Sequence, residues 1–335
     1  MEPRASHELD VTLACWDYDR TRPLLDGRVR AEGIALRYLP LKMPESFFRM
    51  LRHAEFDLSE MSFSWYVRTY FRDERPFVAI PVFPSRMFRH GSIYVHTASG
   101  IERPEQLRGK RVGVPEFQMT AAVWIKGILA DRHDVPVNSV TYLTGGLFDP
   151  GRTEVAMNLP SDIHVQPIAT DRTLSEMIEN GEIDALYTAE APATFGRPES
   201  HVRKLFSDPA AVEEAYFRDT GIFPIMHTIV MKRSLYERER WIARSLQKAF
   251  DEARRVALED LHETVALKIS LPWLNAHVAR TAEIFGSEDF WTYGIAPNRK
   301  ALEAFLRYSH AQGLIPRVPD PEDLFAPETV TVAKT

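Results

Sequence analysis

Between Pro81 and Val95 the chain reads PVFPSRMFRHGSIYV, and Arg86, Arg89 and His90 stand together within it. Their spacing would place all three on one side of a single helical turn. Arginine presents a planar fork of N–H donors that suits a carboxylate, and histidine is the side chain best able to pass a proton near neutral pH. Such a turn would hold a small organic anion and protonate it. Taken alone, the same arginines also fit a solvated connection between two strands, so the reading depends on what the rest of the chain supplies.

Four other polar segments and one histidine offer groups of the right kind. Asp17 and Asp19 lie in WDYDRT, Ser59, Glu60 and Ser62 in SEMS, Glu116, Gln118 and Thr120 in PEFQMT, and Glu190 in TAEAP. His227, in FPIMHT, is a second candidate acid, although a histidine in an apolar strand also serves as a core residue. The two aspartates fit equally well as caps of a helix after Thr21, and Glu60 sits where any helix N-terminus favours a carboxylate. His90, His227, Glu60 and Asp17 are the groups that could meet at a metal, but no HxH, HxxxH or CxxC spacing supports one, so none is expected. LTGGLFDPGR lacks the lysine and glycine spacing of a phosphate-binding loop. The single cysteine, Cys15, permits no intrachain disulfide and reads as a small buried apolar group at a strand end.

Apolar periodicity supplies the elements that must position these residues. Leu9 to Cys15, Ile34 to Leu39 and Phe77 to Phe83 read as strands, with helices near 23–29 and 44–52. FDLSEMSFSWYVRTYF reads as a short strand entering a helix whose first turn holds Ser59, Glu60 and Ser62, with Ser59 as N-cap. The αβ alternation restarts near Ser99, with strands at 111–114, 140–143, 164–168 and 183–187, and IFPIMHTIVM reads as a strand that returns the chain. The expected architecture is α/β, with two doubly wound lobes and a cleft between them. The first lobe takes residues 1–96 and 226–335, with the helical C-terminal region packed back on it, and the second takes 97–225. Ligands of open α/β sheets bind beyond the carboxyl ends of the strands, so the polar loops named above should converge in the cleft.

The formal net charge is −6, which argues against a nucleic-acid surface and leaves a basic cluster to serve a small anion. No apolar run approaches the ~20 residues that cross a bilayer. MEPRASHELD is polar and has no apolar core of an export signal, so a cytoplasmic protein is expected.

TLACWDYDRT, EFDLSEMSFSWY, VAIPVFPSRMFRHGSIYV, GKRVGVPEFQMTAAVWIKGIL, GEIDAL, TGIFPIMH, LPW and FAPET, in that order along nearly the whole chain, resemble the 4,5-dihydroxyphthalate decarboxylases. The resemblance implies a type 2 periplasmic-binding-protein-like fold, related to the substrate-binding proteins of ABC transporters, used as an enzyme. It implies non-oxidative loss of carbon dioxide from a hydroxylated aromatic acid by ipso protonation, without an organic cofactor. On that footing His90 is the leading proton donor, Arg86 and Arg89 hold the carboxylate, and Glu60 or Asp17 is the base that polarises a ring hydroxyl. Asp19, Ser59, Ser62, Glu116, Gln118, Thr120 and Glu190 line the substrate, and Met87, Phe117 and Met119 supply an apolar wall. One departure stands out: the family has an arginine-bearing loop after GEIDAL where this chain has TAEAPA, so Glu190 reverses a charge unless it points to solvent or pairs with Arg197. The alternative function is a binding protein for a small aromatic acid in transport or sensing, against which the missing export signal counts. The expected partner is the small aromatic acid, with no nucleic acid and no membrane, and homo-oligomer formation is left open.

Overall fold

Residues 8–155 and 157–330 are described by the computed structural model. The N-terminal stretch read for an export signal lies mostly outside them. Among the described residues the strands are β1 (Leu9–Ala14), β2 (Ile34–Leu39), β3 (Leu58–Ser62), β4 (Phe77–Ile80), β5 (Ile93–His96), β6 (Arg111–Val114), β7 (Thr141–Thr144), β8 (His164–Pro167), β9 (Ala185–Tyr187), β10 (Val202–Lys204) and β11 (His227–Lys232). They form two sheets, and the chain divides into two compact units. The first unit runs to Arg86 and adds Ile225–Leu302 and the chain from Pro319; the second comprises Met87–Pro224 and Glu303–Val318.

In the first unit the strand order is β2-β1-β3-β11-β4. β1 is parallel to β2 and β3, and β11 runs antiparallel between β3 and β4. The parallel neighbours are connected through helices, as parallel pairing requires. β3 is buried on both faces, and all five of its residues, Ser59, Glu60 and Ser62 included, are buried. This corrects the placement of Ser59 and Glu60 in a helical turn with Ser59 as its cap. The strand continues to Ser62, whose Oγ accepts from the Trp65 N–H and caps the helix Phe63–Tyr70. Partners on both sides satisfy the strand's backbone groups, and that pairing outweighs the local helix-start signal.

The segment after β4 also departs from expectation. Pro81 and Pro84 remove backbone donors, and the chain runs irregularly as far as a short 3-10 turn over His90–Ser92, which leaves Arg86 outside it. Arg86 instead makes an isolated bridge with Ile225, and Ser85 O accepts from both Met226 N and His227 N, at 2.9 and 3.2 Å. Arg86 closes the first unit while Arg89 and His90 belong to the second, so the three cations do not share one turn.

The second unit has the order β10-β5-β9-β6-β7-β8, with β9, β6, β7 and β8 parallel and β5 running antiparallel to both its neighbours, β9 and β10. The helix Thr120–His133 is buried all round from Thr120 to Leu129, as befits a helix with apolar residues on every side. Ala122, Ile125 and Leu129 join Val112, Val114 and Tyr142 in the core. Trp124 meets the rings of Phe305 and Tyr308 at centroid distances of 5.5 and 5.7 Å. A Cβ on Gly127 would lie 2.2 Å from the Tyr308 ring, so only glycine permits this approach. Residues 303–318, and β5 with them, thus belong to the second unit, whereas the sequence reading assigned both to the first lobe. No helix among the described residues is long and apolar enough to cross a membrane.

Candidate functional site

The first unit builds a polar cluster around Glu60, and strand register explains it. β3 pairs with β11 so that Glu60 faces Ile229 and Ser62 faces His227. Glu60 and His227 are therefore diagonal neighbours on one face, a separation that long side chains span. His227 Nδ1 lies 2.6 Å from Glu60 Oε1. On the other flank Ala14 pairs with Ser59, which brings the next residues of the β1 end level with Glu60. Its Oε2 accepts from Trp16 N at 3.1 Å and from Cys15 Sγ at 3.6 Å. Tyr18 completes the set, donating its hydroxyl to Glu60 Oε1 at 2.7 Å.

Glu60 is wholly inaccessible. Burial by itself would raise its carboxyl, but the hydrogen bond and charge of His227, with Tyr18 and the Trp16 N–H, hold it below the ordinary glutamate value. Burial and then the Glu60 charge push the Cys15 thiol and the Tyr18 phenol upward, so both remain donors. With Nδ1 committed to the carboxylate, the reactive face of His227 is Nε2. The ring retains partial exposure, 13% of the side chain, and meets Phe47 edge-on at 4.9 Å.

Other candidates from the first unit fall into two groups. Arg86 is buried and donates to Asn298 Oδ1, and burial pulls its guanidinium down to about 9. Its bridge to Ile225 places it on the strand-like segment bonded to the start of β11, two residues from His227. Asp17 and Asp19 are otherwise engaged. Asp17 forms a two-pronged pair with Arg22 at 2.8 and 2.9 Å, and Asp19 pairs with Arg20 at 2.9 Å. Arg20 is held between the rings of Tyr18 and Trp291, 4.2 and 4.0 Å from their centroids. Ser59 donates to the Glu60 carbonyl and Ser62 caps a helix, so both act on the backbone.

In the second unit His90 is 3% exposed and packed against Phe206 and Tyr216. Burial, with a small contribution from His133, pushes it down to about 4, so it is neutral at pH 7 and cannot serve there as a reservoir of protons. Its Nδ1 is 4.0 Å from Glu213, beyond hydrogen-bond reach, and the Glu213 carboxylate accepts from the Gly91 N–H. Arg89 is buried, with burial pulling it down to about 10, and reaches Ser92 Oγ at 3.5 Å. Glu116 pairs with Arg152. Gln118 is 1% exposed with neither amide atom hydrogen-bonded, and Thr120 is buried at the start of the helix Thr120–His133. Phe117 lies in the core with Met119 packed on it, but Met87 is 52% exposed and walls nothing. Glu190 is exposed, as is Arg197.

The structure thus brings Glu60 and His227 together and separates Asp17 and Asp19 from them. Sequence reasoning missed Tyr18, Cys15, Arg20 and Asn298. Tyr18 and Arg20 lie in the segment already singled out and Cys15 directly precedes it, but a tyrosine or a lone cysteine carries no signal until strand register sets it beside a carboxylate. Among the described residues no group of three or more His, Cys, Asp or Glu side chains is arranged to hold a metal ion.

No protein-family model matches the chain. Over 324 residues it is 37% identical to a 4,5-dihydroxyphthalate decarboxylase from Comamonas testosteroni, covering 96% of this chain and 98% of that protein. A 4,5-dihydroxyphthalate decarboxylase from Pseudomonas putida is 38% identical over 218 residues, 65% of this chain and 84% of the relative. Among solved structures, the periplasmic aliphatic sulphonate binding protein of Escherichia coli aligns with a TM-score of 0.51 at 12% identity, covering 95% of this chain and 97% of the other. A periplasmic sulfonate-binding protein from Methylobacillus flagellatus gives 0.55 at 10% identity, covering 95% and 92%. At such identities these two likenesses bear on the fold alone, which is periplasmic-binding-protein-like.

Proposed function

The chain belongs to the 4,5-dihydroxyphthalate decarboxylase family, and from that membership we propose that it releases carbon dioxide from a hydroxylated aromatic acid, with 4,5-dihydroxyphthalate as the first substrate to try. In that compound each carboxylate has a hydroxyl para to it. The hydroxyl pushes electron density into the ring as a proton arrives at the carbon bearing the carboxylate. The carbon–carbon bond then breaks, its electron pair restores aromaticity, and carbon dioxide leaves with the proton retained on the ring. Because the ring itself accepts and returns the electrons, the reaction calls for no organic cofactor. A cytoplasmic setting belongs to the same proposal, supported by a chain with one buried cysteine and no disulfide.

The observation that carries the residue assignment is the 2.6 Å contact between His227 and the buried Glu60. It favours His227 over His90 as the proton donor, with Nε2 as the donating atom and Glu60 fixing tautomer and orientation. Glu60 therefore acts through His227, in place of the direct role on a ring hydroxyl expected from sequence. Arg86 holds the departing carboxylate: its buried guanidinium interacts with an anion more strongly than an exposed one would.

The test is to incubate purified protein with 4,5-dihydroxyphthalate and with monocarboxylic hydroxybenzoates while measuring carbon dioxide and ring product. His227→Asn and His90→Asn are assayed in parallel, with and without chelator. Release from the phthalate that is lost in His227→Asn, retained in His90→Asn and unaffected by chelator supports the reading. Full activity in His227→Asn, or no release from any of these acids, overturns it.

A further inference from the structure

Glu60 Oε1 receives two hydrogen bonds, from His227 Nδ1 at 2.6 Å and from the Tyr18 hydroxyl at 2.7 Å. Two donors on one oxygen compete for the same electron density. We propose that Tyr18 is a positioning residue that sets, through this shared oxygen, how tightly the His227 imidazole holds the proton it must deliver. The inference rests on the reading of His227 as proton donor.

Four donors converge on Glu60: His227, Tyr18, the Trp16 N–H and the Cys15 thiol. Three of them contribute nothing to proton delivery directly, yet each draws charge away from the carboxylate. A bare buried carboxylate beside an imidazole would stabilise the imidazolium strongly, because the low local dielectric magnifies the pair. An imidazolium held that firmly is a poor acid, since general-acid catalysis weakens as the donor's proton affinity rises. The Tyr18 bond spreads the carboxylate charge and loosens that hold. It also anchors Oε1, while the Cys15 thiol and the Trp16 N–H hold Oε2.

Tyr18 is itself well anchored. Its ring carries the Arg20 guanidinium 4.2 Å from the centroid, and its backbone N–H meets Thr21 Oγ1 at 3.2 Å. The groups that face the His227–Glu60 pair are Tyr18, Cys15 and Trp16 from the β1 end and the Phe47 ring from the helix Met43–His53, with Arg86 on the segment bonded to His227's backbone. Arg20 and Tyr38 stand behind them, Tyr38 donating to the Trp16 carbonyl at 2.7 Å. Of these, only Tyr18 shares the oxygen that His227 uses.

Tyr18→Phe keeps the ring and removes the bond. The expected result is a fall in kcat on the order of tenfold, the effect of one hydrogen bond to a charged group, with KM changed little. The basic limb of the kcat–pH profile should move to higher pH, and the downfield proton resonance of the His227 Nδ1–H should move further downfield. Cys15→Ala, which removes the weaker donor on Oε2, should shift both in the same direction by less. A thermal melt accompanies each variant, and the resonance can be followed whether or not turnover survives. An unmoved limb and an unmoved resonance in Tyr18→Phe, or a defect confined to KM, would overturn the proposal. His227→Asn separates the two levels: if it retains turnover, the assignment of the donor is wrong, whereas loss there with an inert Tyr18→Phe defeats this inference alone.

Discussion

His227 Nδ1 stands 2.6 Å from Glu60 Oε1, across a diagonal of two antiparallel strands, with Glu60 entirely removed from solvent. The pair is rigid because each partner sits on a central strand of the sheet and the carboxylate has three further donors. Glu60→Gln preserves shape but removes the charge and reverses one hydrogen bond. We expect kcat to fall by about 10²–10⁴ with a much smaller change in KM, the range for disabling a general acid. Steady-state kinetics of carbon dioxide release check this, and a parallel rise in KM would indicate a binding role.

His90 makes a prediction about stability. Its folded value is pushed down to about 4, against ~6.5 for an unfolded histidine. Between those values the unfolded state binds more protons, so stability is highest above about pH 6.5 and is lost as pH falls toward 4. The full effect is on the order of 3 kcal/mol. His90→Phe should flatten this part of the curve while leaving turnover at pH 7 near wild type. Denaturant melts at pH 4.5 and 7.5 measure it.

Arg86→Ala should lower kcat and raise KM together, reducing kcat/KM by about 10² or more, because a carboxylate that is not held is also not aligned. Arg86→Lys should restore little, since an ammonium cannot reproduce the planar fork that also reaches Asn298. Wild-type kinetics in the alanine variant would remove Arg86 from the site.

Glu190 tests the charge reversal read from the sequence. Its side chain is exposed and its N–H turns to Thr188 Oγ1 at 3.3 Å. Glu190→Arg should therefore leave the ratio of phthalate to monocarboxylate turnover within about twofold, as for most surface changes. A marked shift of that ratio would show that the loop reads the second carboxylate.

Gly127→Ala places a methyl group 2.2 Å from the Tyr308 ring. The helix Thr120–His133 must move or the ring must leave its rotamer, and we expect a loss of about 1–3 kcal/mol. Urea unfolding reads the change, and an unaltered midpoint would mean that Tyr308 moves freely.

How much of this was legible in the chain follows from the range of the forces involved. Strands β1, β2 and β6 are set by local apolar periodicity, and they appear where the pattern puts them. The order of family motifs along the chain pointed to the fold and to decarboxylation. Local rules failed at β3, where SEMS carries the marks of a helix start but is drawn into a strand by neighbours contributed by residues 9–14 and 227–232. They failed again at 303–318, whose packing surface is decided by Tyr308 and Phe305 meeting Trp124 and Gly127.

By itself the sequence determined the residue types available for acid–base work: Glu60, His227, His90 and the arginines. On the chain alone His90 leads, because what favours His227 is a partner 167 positions away and what disfavours His90 is its burial. His90 lies near two arginines in the chain, yet burial pushes its pKa down. His227 looked like a core residue of an apolar strand. Only the antiparallel register of β3 and β11 sets it against a carboxylate, since hydrogen bonds and desolvation act over a few ångströms of space, whatever the separation along the chain.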